Sequence, residues 1–215
     1  MKRISLCLIL LVAMVAMVAM VTTSCGDSAG NKAANTKPSP EVKKGIAPIA
    51  DAEAVLIEME TPAYGTIKLE LYSNLAPKHV ARIKELAREG YYNGIAFHRI
   101  NDTVIQAGDA NTKAGGPQTQ GKEGDSGKSN VQAEFSDVPY DAGILGAARL
   151  GTDVNSANAQ FFIMLKREKA FDNSYTVYGK VIEGMNNVRT IAGAPKQGER
   201  PTEPVRIKSM SIVPR

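Results

Sequence analysis

Among the 215 residues there are only two cysteines, Cys7 and Cys25, and only two histidines, His79 and His98. That inventory supplies no plausible set of metal ligands, and neither a metal nor any other cofactor is expected. A large excess of one sign of charge is lacking too. The formal net charge is +4, part of it from Lys2 and Arg3 at the very start, and the remaining Lys and Arg alternate with Asp and Glu. A nucleic-acid surface is therefore not expected. No internal repeat occurs at any period, and a composition 43% hydrophobic and 22% charged suits one globular domain with some extra sequence.

The extra sequence lies at the start. Lys2 and Arg3 precede an apolar run from Ile4 to Val21 broken only by Ser5. This is the layout of an export signal. A permanent transmembrane helix is the competing reading, since a bilayer needs roughly 18–20 apolar residues. The sequel Thr22-Thr23-Ser24-Cys25-Gly26 favours export, because it resembles a bacterial lipobox, in which a small residue precedes a cysteine that becomes the new amino terminus. Residues 1–24 are thus expected to be a lipoprotein signal peptide and Cys25 to be lipidated. Cleavage leaves one cysteine, so no internal disulfide can form. Diacylglycerol supplies two chains, enough for a stable anchor where one is marginal. The expected location is a bacterial cell envelope, with the domain facing the periplasm or the exterior.

From Gly26 the composition shifts to Asn, Lys, Ala, Ser and Pro, with almost no large apolar residue before Ile46. Residues 25–52 read as the lipidated Cys and a flexible tether, and residues 53–213 as the folded unit. That unit opens with apolar-polar alternation at Ala54–Glu60 and Thr66–Tyr72 around Pro62-Ala63-Tyr64-Gly65, which predicts a β-hairpin. Pro77, the helical spacing of Val80, Ile83, Leu86 and Ala87, and then Gly90 predict a helix over 77–89. His79 reads as a solvated residue of that helix. Short β-type runs follow at 95–100, 104–107, 131–135, 143–148, 160–165 and 175–182, then a short helix over 185–191 and a last strand over 205–213. The fold class is mainly β, antiparallel, with two helices.

Several motifs stand in a fixed order: Phe97-His98-Arg99-Ile100, Gln106-Ala107-Gly108-Asp109, Gly115-Gly116-Pro117, Glu134-Phe135, Gly143 through Arg149, Gln160-Phe161-Phe162-Ile163, and Tyr175 through Val181. Together with the opening hairpin, Ala76-Pro77-Lys78 and Gly90-Tyr91-Tyr92, the series resembles the cyclophilin family of peptidyl-prolyl cis-trans isomerases across nearly the whole domain. The resemblance implies a closed eight-stranded antiparallel barrel capped by two α-helices, with a shallow peptide groove on one outer face. It also implies monomeric action on proline-containing peptides and on unfolded or exported proteins.

The chemistry such a groove needs is simple. A prolyl bond resists rotation because nitrogen's lone pair is delocalised into the carbonyl, a barrier of ~18–20 kcal/mol. A guanidinium hydrogen-bonding toward the prolyl nitrogen localises that pair and favours the twisted transition state. Arg99 is the expected catalytic group, and His98 is expected to brace it. By resemblance, Gln106 contacts the substrate backbone, Ala148 and Arg149 receive the peptide before proline, Phe162 forms the base of the proline pocket, and Gln160 lies beside it. Phe171 and Tyr175 complete the wall.

Several features depart from the family pattern, among them Phe171, which replaces a Leu in the pocket wall. The stretch between Arg99 and Gln106 is one residue short, Thr103 falls where the family has a pocket-lining Phe, and Val104 replaces Met. A shallower pocket and reduced efficiency are expected, with a low-turnover proline-peptide-binding module or holdase as the alternative reading. Ala170 stands where sensitive relatives carry Trp, so weak cyclosporin binding is expected. Gly121 to Ser129 has the look of a phosphate-binding loop, but five residues rather than four separate Gly121 from Gly127, and a mobile polar loop is the better reading.

Overall fold

A computed structural model describes residues 40–113 and 126–215. The expected export signal, Cys25, Gly115-Gly116-Pro117 and Gly121–Asp125 lie outside the described residues. Alternating polarity produces β1 (Glu53–Met59) and β2 (Thr66–Leu71), joined by a 3₁₀ turn at Pro62–Tyr64. Helix α1 (Pro77–Arg88) follows, and then the short strands β3 (Ala96–Phe97), β4 (Arg99–Ile100) and β5 (Val104–Ala107). Next come β6 (Ile144–Ala147), β7 (Phe161–Met164), β8 (Val177–Glu183) and α2 (Met185–Ala192). A small hairpin of β9 (Lys196–Gln197) and β10 (Arg200–Pro201) precedes β11 (Val205–Pro214).

The strands run in the order β3-β11-β1-β2-β8-β6-β7-β5-β4, every pair antiparallel. β3 and β4 are two halves of one run interrupted at His98, so the sheet returns to its own beginning. Counting that run once leaves the eight strands of a barrel, and no long edge is left open. Inside it pack Val55, Ile57, Ile67, Leu69, Ile105, Leu145, Phe161 and Ile163, while Val80, Ile83 and Leu86 of α1 and Val188 and Ile191 of α2 join the same core.

Several expectations need correction. His79 is buried rather than solvated, because Glu134 reaches the N-terminus of α1 from 55 residues away. The Glu134 carboxylate lies 2.8 Å from His79 Nδ1 and accepts from the backbone N–H groups of Lys78 and His79 at 3.1 Å each. Ala76 offers no capping side chain, and Pro77 begins the helix. A distant carboxylate thus takes the orphan donors and the positive end of the helix dipole. Burial by itself would raise the Glu134 pKa, but the hydrogen bonds from His79 and Lys78 outweigh it and hold the carboxyl below the usual glutamate range.

The second correction concerns residues 131–135, which form no strand; only an isolated bridge joins Val131 to Ala157. Third, residues 43–51, expected to belong to a flexible tether over 25–52, are bonded to the barrel. Lys43 N–H donates to Phe135 at 2.9 Å and its carbonyl accepts from Asp137 at 3.0 Å. Asn74 ties Ala47 and Ile49, and Asp51 accepts from Ser73 Oγ at 2.7 Å and from Lys84 Nζ at 2.6 Å. These bonds strap residues 43–51 along the barrel. Composition misses them because the partners, backbone groups at Phe135 and Asp137 and side chains at Ser73, Asn74 and Lys84, lie far along the chain. The fourth correction, at Thr103, belongs to the site.

Candidate functional site

Cross-strand register assembles the site on the outer face of the barrel. Directly paired residues of antiparallel strands share a face, and residues two apart along a strand share it too. Arg99 of β4 pairs with Gln106 of β5, Gln106 with Phe162 of β7, and Phe162 with Gly146 of β6. One row therefore runs Arg99, Gln106, Phe162, Gly146. A second, one step along, carries Gln160 and Ala148, whose N–H donates to the Gln160 carbonyl at 3.0 Å. On the other side of the first row stand Val104, Met164 and Ile144.

Polar groups at one end of this face are linked in a chain. Arg99 Nη1 donates to Gln106 Oε1 at 3.4 Å, and Gln106 Nε2 donates to Gln160 Oε1 at 2.8 Å. Arg99 Nε donates to Glu199 Oε2 at 2.6 Å, and Arg99 remains about half exposed. An amide whose oxygen and nitrogen are both engaged by neighbours has its orientation set by the network.

Next to this chain lies an aromatic patch. Phe162 meets Tyr140, Phe171 and Tyr175 with ring centroids 5.9, 5.6 and 5.6 Å away. The Tyr140 ring is stacked and the other two meet Phe162 edge to face; aromatic pairs in such geometries contribute about 0.5–1.5 kcal/mol beyond area burial. Phe162 and Tyr140 are buried, whereas Phe171 and Tyr175 are partly open, so the patch is a floor with two walls. The Arg149 guanidinium sits 4.5 Å from the Tyr175 ring centroid and donates to the Ser174 carbonyl at 3.0 Å. Gly146 makes room for the floor. A Cβ there would lie 2.3 Å from Phe162 Cζ, closer than any real contact.

The shortened stretch after Arg99 is a tight hairpin. Asn101 N–H donates to the Val104 carbonyl at 3.1 Å, and Asn101 Oδ1 accepts from the Thr103 and Val104 N–H groups at 2.9 Å each. Asp102 and Thr103 are the two turn residues, so Thr103 stands at a hairpin tip rather than in the wall. Val104, 2% exposed, packs in the aromatic cluster instead. Across this turn β4 and β5 stay in direct register, Arg99 with Gln106 and Ile100 with Ile105.

Other expected site residues are more peripheral. Ala170 is exposed on the 3₁₀ turn Lys169–Phe171, held by the Glu168 carboxylate at 3.1 Å. The His98 ring makes no hydrogen bond to Arg99 and does not brace it; it lines a cavity of about 130 Å³ with Thr112, Arg200 and Arg206. Burial pushes its pKa below the ordinary histidine value, with Arg99 and Arg200 adding to the shift and Asp109 opposing it. The ring is accordingly neutral near pH 7. Among the described residues no three His, Cys, Asp or Glu side chains gather into a metal site.

Sequence reasoning missed Glu199, Asn101 and Tyr140. Asn101 carried a turn signal, as Asn in Asn-Asp-Thr readily hydrogen-bonds its own backbone two residues on. Nothing local marks Glu199 or Tyr140, which arrive from distant loops.

A family profile for "Cyclophilin type peptidyl-prolyl cis-trans isomerase/CLD" matches residues 56–212. A "Probable peptidyl-prolyl cis-trans isomerase" of Brucella suis is 46% identical over 131 residues, which cover 59% of this chain and 66% of the relative. The chain thus spans just under two thirds of that relative's length. "Peptidyl-prolyl cis-trans isomerase-like 1" of Homo sapiens is 37% identical over 154 residues, covering 70% of this chain and 88% of that protein. A crystal structure of a cyclophilin-type isomerase from Cryptosporidium parvum, determined in the presence of the dipeptide Ala-Pro, superposes with a TM-score of 0.64 at 26% identity. It covers 75% of this chain and 99% of its own. Register, barrel closure and the profile over residues 56–212 agree that this chain belongs to the cyclophilin-type peptidyl-prolyl cis-trans isomerase family.

Proposed function

We propose that this protein catalyses cis/trans isomerisation of prolyl peptide bonds, with Arg99 as the catalytic residue. The observation that carries the proposal is the direct pairing of Arg99 with Gln106 beside the Phe162 floor. A proline ring resting on Phe162 between Val104, Phe171 and Tyr175 puts its nitrogen toward the guanidinium, and Gln106 is placed to hold the adjoining backbone. The reaction needs no nucleophile and no bond cleavage. It needs a donor better matched to the twisted, pyramidal nitrogen than to either planar amide. NMR exchange on a proline-containing peptide tests this without a coupled protease: the domain is expected to broaden or average the cis and trans signals. Unchanged exchange at high enzyme concentration would leave the proline-peptide-binding module, or holdase, as the reading. That alternative draws its support from the Arg99–Glu199 ion pair, which occupies two guanidinium nitrogens.

We further propose that the protein acts in a bacterial cell envelope, anchored through lipidated Cys25, where slow prolyl isomerisation delays the folding of exported chains. Fatty-acid labelling is expected in the wild type and absent in Cys25→Ala; equal labelling of the two would overturn the anchor. Weak cyclosporin binding follows from Ala170, which offers the drug no indole.

A further inference from the structure

We propose that Glu199 is a positioning residue for Arg99, holding the guanidinium in the orientation the prolyl nitrogen requires. The proposal rests on Arg99 being the catalytic residue. Glu199 lies between β9 and β10, 100 residues from its partner. Its backbone carbonyl accepts from the N–H of Ile100 at 2.7 Å, so the small hairpin is stitched to β4 immediately after Arg99. Its carboxylate is fixed from two sides. Oε2 accepts from Arg99 Nε at 2.6 Å, and Oε1 accepts from Asn101 Nδ2 at 2.8 Å and, at 3.5 Å, from Arg99 Nη2. Asn101 is held in turn by the Asx-type turn that leads into β5.

On the arginine's side the other anchor among the described residues is the 3.4 Å bond to Gln106. A long, half-exposed side chain with a single long hydrogen bond samples several rotamers, whereas a carboxylate on the Nε edge locks the plane of the guanidinium. The Nη1 edge stays directed at Gln106 and the groove. The same carboxylate also offsets the cation's charge, an effect that runs the other way. Because both groups are half exposed and screened by water and salt, the charge effect is the smaller of the two. Misplacement of a catalytic donor by even 1 Å can cost on the order of 10²-fold. Positioning therefore wins.

The test is a double-mutant cycle read by NMR exchange, using wild type, Arg99→Ala, Glu199→Ala, Glu199→Gln and Arg99→Ala/Glu199→Ala. Glu199→Ala is expected to lower kcat/KM by roughly 3–30-fold, mostly in kcat, with peptide affinity changed less than about 2-fold. Glu199→Gln, which keeps the shape of the side chain, should fall between it and the wild type. In the Arg99→Ala background the Glu199 change should have no further effect; a purely structural role would reduce the residual rate by the same factor. A pH profile adds an independent readout. Donation by Arg99 and then by Asn101 holds the Glu199 carboxyl below the usual glutamate range. Pairing is thus complete above that range and lost as pH falls through the lowered value, so the wild-type rate should show an acid limb that Glu199→Gln lacks. A Glu199→Ala variant as fast as the wild type or faster, or an equal loss in both backgrounds, would overturn the proposal while leaving Arg99 in place. Full turnover in Arg99→Ala alone would instead remove Arg99 from catalysis, and Glu199 with it.

Discussion

The two faces of β5 and β7 differ in kind. Inward, Ile105, Ala107, Phe161 and Ile163 are at 0% exposure within the apolar core, and their positions follow from period-two alternation. Outward, Val104, Gln106, Gln160 and Phe162 face a surface built with Arg99 of β4, Gly146 of β6 and rings from the loops around Tyr140, Phe171 and Tyr175. The inner face is a packing problem solved by local pattern. The outer face is a meeting of distant segments, and there a substitution should cost function more than stability.

The largest expected effect of breaking that contrast is inside. Leu69→Ala should lower unfolding free energy by about 2–5 kcal/mol, the range for deleting a fully buried leucine, with kcat/KM per folded molecule close to wild type. Chemical denaturation combined with exchange kinetics checks both halves. On the outer face, Gly146→Val forces the Phe162 ring to move. Overpacking of this sort costs about 1–3 kcal/mol of stability, and here peptide affinity should drop as well, which a binding titration would show.

A smaller effect comes from pH. Glu134 has its carboxyl held below the usual range in the folded state, so its contribution to stability is fully present above the unfolded value of about 4.3 and is lost as pH falls through the lowered folded value. Glu134→Gln should therefore lower the melting temperature at neutral pH and flatten its decline in acid. The smallest expected change separates two neighbours. Val104→Ala should reduce kcat/KM several-fold, on the order of 1 kcal/mol for the methyl groups removed from the pocket wall. Thr103→Phe, at the hairpin tip, should alter it less than about 2-fold on the same scale.

What was legible in the sequence divides along the same line. Alternation in Ala54–Glu60 and Thr66–Tyr72, and the Pro77 start of α1, placed the first hairpin and helix within a residue or two. Motif order identified Arg99, Gln106 and Phe162, and register then joined them. Contacts supplied from far along the chain stayed invisible: Glu199 on Arg99, Glu134 on the α1 N-terminus, Asp51 on Ser73 and Lys84. A side chain's nearest sequence neighbours say nothing about such partners. Thr103 misled for a different reason. A one-residue difference in length does not say which turn takes it up, whereas Asn101 closes a two-residue hairpin and passes the wall position to Val104.

The central claim is that the guanidinium on the outer face does the chemistry. Its most direct test compares wild type with Arg99→Ala by NMR exchange on one proline-containing peptide, with peptide affinity measured alongside. Loss of a preorganised transition-state donor predicts a fall in turnover on the order of 10²–10³-fold with a much smaller change in affinity. An Arg99→Ala variant that retains most of its turnover would contradict the account.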